Sequence, residues 1–285
     1  MKRPHLFIIG ILVFCLVVSS LLVSCKTEET ARLKVVTSIS LIAQIVERIG
    51  GDLVDVVNII PPAQCPGHFD VKPSDIQKLA DADLFLLGGW QGEMFSQELI
   101  DSANNPYLTV VTLEIPSDPQ SNWMTPSVQQ EAVDRIATAL SQVDIQNSTS
   151  YQDLAAIYKN QIELKAAEIE EKLAGENLSA TNVICSGMQT AFLKWVGLNV
   201  VTFYGRPDSL TPQVVKDLVD KGREENVTLI IDNLQSGQDA GAGIAEELDC
   251  DRIILSNFPG GFDNTETWEK AIDENIRRIL EIVAQ

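Results

Sequence analysis

The sequence predicts an α/β protein: two parallel-sheet lobes joined by a long backbone helix, with a ligand cleft between the lobes. Three observations predict it. From Leu33 onward, short β-branched and apolar runs alternate with amphipathic segments. The pattern βαβαβαβ occurs twice, once on each side of the middle of the chain. Between the copies, Leu154, Ile157, Tyr158, Ile162, the stem of Lys165, Ile169 and Leu173 recur near helical spacing, with charges on the other face. Strands alternating with helices imply parallel sheets covered on both faces.

The chain opens on a secretory signal. Lys2 and Arg3 give a positive start, Leu6 to Val23 an uncharged apolar core, and Leu22-Val23-Ser24-Cys25 a bacterial-type lipobox. Residues 1–24 are then removed, Cys25 carries the lipid, and residues 25–32 form a polar tether. The apolar run is also long enough for an uncleaved anchor. Either arrangement holds the body at the outer face of a membrane, and a diacylated cysteine supplies the two chains that stable anchoring needs.

Residues 33–140 read as the N-terminal lobe. Its strands are expected at Leu33–Ser38, Val54–Ile60, Asp83–Gly88 and Leu108–Glu114, its helices at Ile39–Ile49, Ser74–Ala80, Glu93–Ser102 and Val128–Leu140. Residues 141–178 hold the connecting helix, over Tyr151–Leu173, as one rod that could continue the helix before it. No Gly/Pro-rich linker separates the lobes, so hinge closure should be small. Residues 179–285 form the C-terminal lobe. Its strands are expected at Asn182–Ser186, Asn199–Tyr204, Val227–Asp232 and Arg252–Ser256, with helices at Thr190–Val196, Pro212–Glu225, Ala240–Glu247 and Thr265–Val283. Thr211 before Pro212 is a good cap and first-turn pair.

Charge excludes some functions. The 285 residues carry 21 Lys and Arg against 40 Asp and Glu, a net charge of −19, and loss of Lys2 and Arg3 makes the body more acidic still. That argues against nucleic acid and against adsorption on anionic lipid. Of five cysteines, Cys15 leaves with the signal and Cys25 is lipidated. Cys65, Cys185 and Cys250 remain, an odd number for an oxidising compartment. Of the two histidines, only His68 belongs to the body. There is no Gly-x-Ser-x-Gly, no phosphate-binding glycine loop and no second histidine to act as a base, so nothing points to an enzyme.

Ligands of open parallel sheets bind beyond the carboxyl ends of the strands. The notable polar residues fall on that edge. Cys65-x-x-His68 sets a soft sulfur and an imidazole close enough to face one divalent cation, and Asp70 could add an oxygen. The alternative is a packed cysteine and a capping histidine. Cys185 ends a strand at the same edge, as a third soft donor or a core residue; a Cys65–Cys185 disulfide would staple the lobes. Cys250 reads as structural. Asp232 ends an apolar strand, as a helix cap or a ligand. Arg206 repels a bare metal ion and welcomes an anion or chelate, unless it pairs with Asp208. Trp90, Trp123 and Phe262 could wall the cleft or fill the core.

The chain resembles the zinc/manganese-type solute-binding proteins of ABC transporters. The resemblance rests on Val35-Val36-Thr37-Ser38-Ile39, Ile49-Gly50-Gly51-Asp52, Ile60-Pro61-Pro62 and Lys72-Pro73-Ser74-Asp75-Ile76. It continues through Leu79-Ala80-Asp81-Ala82-Asp83-Leu84, Trp123-Met124-Thr125-Pro126, Ala191-Phe192, Val196-Gly197-Leu198 and Pro259-Gly260-Gly261. It implies a divalent transition metal, held between two lobes on a backbone helix and delivered to a permease and its ATPase. A monomer is expected, with no catalytic cofactor.

The ligand positions depart from the family pattern. Gly67 stands where a first histidine is usual, with His68 one residue later. Gln120, Ser121 and Asn122 stand where a second is usual, and Gln189 replaces a third histidine or a carboxylate. Asp232 is kept, whereas the last aspartate appears as Ser256 or Asn257. One expectation is therefore a rebuilt metal site using His68, Cys65 or Asp70, and Asp232, completed by Gln189 or Cys185. Sulfur would favour zinc over manganese. A second is a metal chelate, oxyanion or small organic ligand beside Arg206, Asn257, Trp90 and Ser121; related proteins with this backbone helix take siderophores and corrinoids. A third is a surface or adhesion lipoprotein that no longer transports.

Overall fold

The alternation folds into two four-stranded parallel sheets with one topology. A computed structural model of the chain describes residues 31–89, 93–116 and 121–284. The signal and Cys25 lie outside these residues. The first half runs β1 (Leu33–Thr37), α1 (Ser40–Gly50), β2 (Val54–Asn58), α2 (Pro73–Ala80), β3 (Leu84–Leu87), α3 (Ser96–Ala103), β4 (Thr109–Thr112) and α4 (Pro126–Val143). Then comes α5 (Ser148–Leu173). The second half runs β5 (Asn182–Ser186), α6 (Thr190–Val196), β6 (Asn199–Tyr204), α7 (Pro212–Glu224), β7 (Leu229–Asn233), α8 (Leu234–Gly237), α9 (Ala242–Leu248), β8 (Asp251–Leu255) and α10 (Trp268–Val283). The strand orders are β2-β1-β3-β4 and β6-β5-β7-β8, so the second sheet repeats the first.

The central strands explain themselves. Leu84-Phe85-Leu86-Leu87 is buried throughout, as is Leu229-Ile230-Ile231-Asp232-Asn233. Such continuous runs suit strands covered on both faces. The edge strand β4, Thr109-Val110-Val111-Thr112, is mostly exposed.

The long helix is α5, 26 residues and so roughly 39 Å at the usual rise. It does not continue α4. The chain reverses through Asp144–Asn147, and Lys159 bonds Asp134 while Gln152 bonds Ser141, as an antiparallel pair requires. Asp144 stabilises that reversal by accepting from Asn147 and from the Tyr151 hydroxyl, each at 2.7 Å. Among the lobe helices, the two largest shifts in helix start are both late. The helix expected from Glu93 begins at Ser96, and α10 begins at Trp268 behind a Thr267 cap. The Thr211 cap forms as expected, accepting from the Val214 N–H.

A single apolar core runs through both lobes, from Val35, Ile42 and Phe85 through Tyr158 and Ile162 of α5 to Phe192, Ile231 and Trp268. A smaller cluster around Ile184, Tyr204, Leu218 and Ile244 packs within the C-terminal lobe. The Trp268 indole donates to the Met124 carbonyl at 3.0 Å, and Arg48 pairs with Glu269 at 3.2 Å. The lobes are thus joined by shared core as well as by chain. No helix among the described residues is long and apolar enough to cross a membrane.

Candidate functional site

The carboxyl ends of both sheets face one another, and four polar contacts cross between them. Asn122 Nδ2 donates to the Met188 carbonyl at 2.7 Å and to Asn257 Oδ1 at 3.1 Å. Gln235 Nε2 donates to the Pro62 carbonyl at 2.9 Å. Ser40 donates to the Pro259 carbonyl at 2.7 Å. The Arg206 guanidinium lies against Gly67; a Cβ there would sit 2.9 Å from Nη2.

Each lobe buries a carboxylate beside the carboxyl end of its third strand. In the N-terminal lobe it is Glu93, 6% exposed. It accepts from the Gly88 N–H at 2.9 Å, the Gly89 N–H at 2.7 Å and the Ser38 hydroxyl. Gly89 holds φ +92, and a Cβ on it would meet Thr112 at 2.8 Å, so the turn that presents these donors needs glycine. In the C-terminal lobe it is Asp232, fully buried. Tyr204 donates to Oδ1 at 2.6 Å, the Gly241 N–H to Oδ1 at 2.8 Å, and Arg252 to Oδ2 at 2.6 Å. Burial, reinforced by the Asp232 charge, pushes the Tyr204 hydroxyl well above its usual range. The Asp232 bond pushes Arg252 up as well.

This corrects the reading of Asp232 as cap or ligand. Asn233 caps α8, accepting from the Ser236 N–H at 2.9 Å, and Asp232 is spent on an ion pair and two neutral donors. Cys185 is corrected too. It is fully buried, its sulfur lies 3.6 Å from the Thr190 hydroxyl, and burial pushes its thiol up to about 12. A metal needs the thiolate, which this setting disfavours. Cys65, Cys185 and Cys250 are all free, so no disulfide staples the lobes.

Cys65, His68 and Asp70 share one loop on the N-terminal lobe. Cys65 is half-buried and caps the turn Pro66–His68; His68 and Asp70 are exposed. Phe69 anchors the loop edge-on against Phe95, 5.1 Å between ring centres. Among the described residues, no three His, Cys, Asp or Glu side chains come together to hold a metal ion. The six expected donors are therefore dispersed rather than gathered: Asp232 and Cys185 are buried in the C-terminal lobe, and Gln189 points its amide at another amide.

That amide contact is the most developed part of the cleft. Gln189 Nε2 donates to Asn257 Oδ1 at 3.0 Å, alongside Asn122, and Asn257 Nδ2 reaches the Met188 carbonyl at 3.2 Å. Gln189 is fully buried, and its Oε1 has no partner. Beside this knot lies a cavity of about 770 Å³, walled by Ser121, Trp123, Thr190, Lys194 and Phe203 among others. Phe262, a candidate wall, is instead stacked under Arg278 at 3.8 Å. Trp90 and Gln120 lie outside the described residues. Arg206 makes no ion pair with Asp208, contrary to one expectation.

The description "Zinc-uptake complex component A periplasmic" (ZnuA) matches residues 35–282, which is nearly all of both lobes. The chain belongs to this family. It is 25% identical over 289 residues to the iron ABC transporter substrate-binding lipoprotein MtsA of Streptococcus pyogenes, covering 91% of this chain and 93% of the relative. It is 26% identical over 248 residues to the metal ABC transporter substrate-binding lipoprotein SsaB of Streptococcus sanguinis, covering 77% and 79%. The fold matches Pseudomonas aeruginosa FpvC, solved with Ni2+, at a TM-score of 0.76 and 20% identity over 89% of this chain and 97% of that one. A Cd-bound periplasmic metal binding protein from Candidatus Liberibacter asiaticus matches at 0.75 and 17% identity, over 88% and 100%. Members of this family are substrate-binding transport proteins, and the chain is not an enzyme.

Sequence reasoning missed Glu93, Lys194 and the partners of Asp232. Glu93 had a signal: a carboxylate just after the Gly88-Gly89 turn at the end of a central strand. Lys194 had none, because its role depends on which face of a seven-residue helix meets the cavity.

Proposed function

We propose that the protein is the extracytoplasmic, lipid-anchored solute-binding component of an ABC importer, capturing transition-metal cargo between its lobes and passing it to a permease and ATPase. The observation that carries this is the family match across both lobes, 35–282. The relatives named as metal-binding lipoproteins support it, as does the convergence of polar residues at one interlobe edge. Zinc is favoured over manganese because Cys65 brings a sulfur donor, with the His68 imidazole, to the loop at the cleft edge. Cys25 in its lipobox supplies the anchor.

The test is uptake in cells lacking the gene, read by elemental mass spectrometry. Accumulation of zinc should fall and return with the intact gene. A Cys25→Ser copy should be released from the membrane fraction and restore uptake poorly. Unchanged zinc, manganese and iron contents would sink the transport reading, and membrane retention of the Cys25 variant would sink the lipid anchor.

A further inference from the structure

The cavity beside the amide knot has no carboxylate among its described lining residues, in a chain with 40 acidic and 21 basic residues. Its one charged lining group is Lys194. Asn122, Asn257, Ser121 and Thr190 add amides and hydroxyls, and Trp123 and Phe203 add apolar wall. Among the described residues, neither Lys194 nor Arg206 makes an ion pair, although most basic side chains of the body do, for example Lys159, Lys165, Arg252 and Arg277. Arg206 extends from the end of the strand that carries Phe203, across to Gly67 of the opposite lobe.

Two physical points follow. A bare divalent cation needs anionic or strongly basic donors to replace its water, and this cavity offers neither. Lys194, its one charged lining group, instead repels such an ion and attracts carboxylates through charge-assisted hydrogen bonds, and Arg206 does the same where it crosses to Gly67. A volume of about 770 Å³ far exceeds what one ion occupies and lies in the range of small-molecule sites.

We infer that the cleft takes its metal as an anionic complex with a small polycarboxylate, the cargo bringing its own donors and Lys194 and Arg206 binding the surplus negative charge. The Ser121 and Thr190 hydroxyls and the second N–H of Asn257 hydrogen-bond the remaining ligand oxygens, while both N–H groups of Asn122 stay in the knot. This rests on the importer reading and names the form of its substrate.

The experiment is calorimetric titration of the detergent-extracted full chain with zinc citrate, sodium citrate and zinc chloride in separate arms. One equivalent of zinc citrate should bind, and zinc chloride should not. Lys194→Gln and Arg206→Gln should each weaken zinc citrate by about tenfold, as loss of one charge-assisted contact does. Lys34→Gln, at the far end of β1, should change nothing. Citrate alone binding as tightly, with the same dependence on Lys194, would uphold the anion site and overturn its role in carrying metal. Tight zinc chloride binding indifferent to Lys194→Gln would overturn the inference and leave the metal importer standing. Silence in all three arms would overturn the inference, and the uptake measurement would then decide the importer reading by itself.

Discussion

The two lobes carry the same sheet, strand for strand, and each buries a carboxylate beside the carboxyl end of its third strand, yet they partner it differently. Glu93 is met by two backbone N–H groups and a serine hydroxyl, all neutral donors. Asp232 is met by Arg252, with Tyr204 and Gly241 completing its shell. Among the described residues Glu93 therefore has no ion-pair partner, whereas Asp232 has Arg252, and the C-terminal lobe also carries Lys194 and Arg206. Shared topology fixes where polar groups gather; the local partners decide what sign the cleft wall presents. On the C-terminal lobe Lys194 lines the cavity and Arg206 reaches across to Gly67.

The largest effect should separate the two carboxylates. Asp232→Asn breaks a pair whose carboxylate is fully buried, although Arg252 is partly exposed and keeps Asp239 at 3.3 Å, so the loss should be about 2–3 kcal/mol. Glu93→Gln removes charge from hydrogen bonds but strands no cation, and should cost about 1–2 kcal/mol. Urea midpoints of the two variants measure this directly. Equal losses would mean that the ion pair is worth no more than the backbone nest, and the contrast between the lobes would fail.

A middle-sized effect should come from the amide knot. Gln189→Glu with Asn257→Asp puts two carboxylates where Nε2 and Oδ1 now share a hydrogen bond at 3.0 Å. Like charges that close repel, so the double variant should lose about 2 kcal/mol without metal. Zinc chloride should restore much of that loss, because a ligand of the folded state alone stabilises by mass action. Thermal denaturation with and without zinc reads both halves. A double variant as stable as the parent, and blind to zinc, would show that these amides do not stand where a cation could sit.

The fold was legible in the sequence and the site only partly so, for one physical reason. Strand and helix come from local periodicity, so all eight strands lie within two residues of their expected ends, and the repeated topology follows. The break between α4 and α5 was missed because Asp144 and Tyr151 make the turn with side-chain bonds that no period reports. The site depends on partners distant in sequence. Whether Asp232 is a ligand or a structural anion is decided by Arg252, two positions off register on the neighbouring strand. Arg206 stands out in the sequence as a cation at the edge, since its charge needs no partner to be recognised. Spacing puts Cys65, His68 and Asp70 on one loop, but says nothing of what the opposite lobe brings to meet them.

The smallest effect tests Arg206 where it crosses the cleft. Gly67→Ala would put a Cβ 2.9 Å from Nη2, a contact too close to keep. The guanidinium is the far end of a flexible side chain, so it should swing aside and leave stability within about 0.5 kcal/mol of the parent. Its position over the opposite lobe would be lost all the same. If that position matters for binding, zinc citrate affinity should drop by a few-fold while the urea midpoint stays put. A stability loss above about 2 kcal/mol would instead make the Arg206–Gly67 contact a structural clamp between the lobes. An unchanged affinity with the guanidinium displaced would leave Lys194 as the only cation that the cargo meets, and would move the charged wall wholly onto α6.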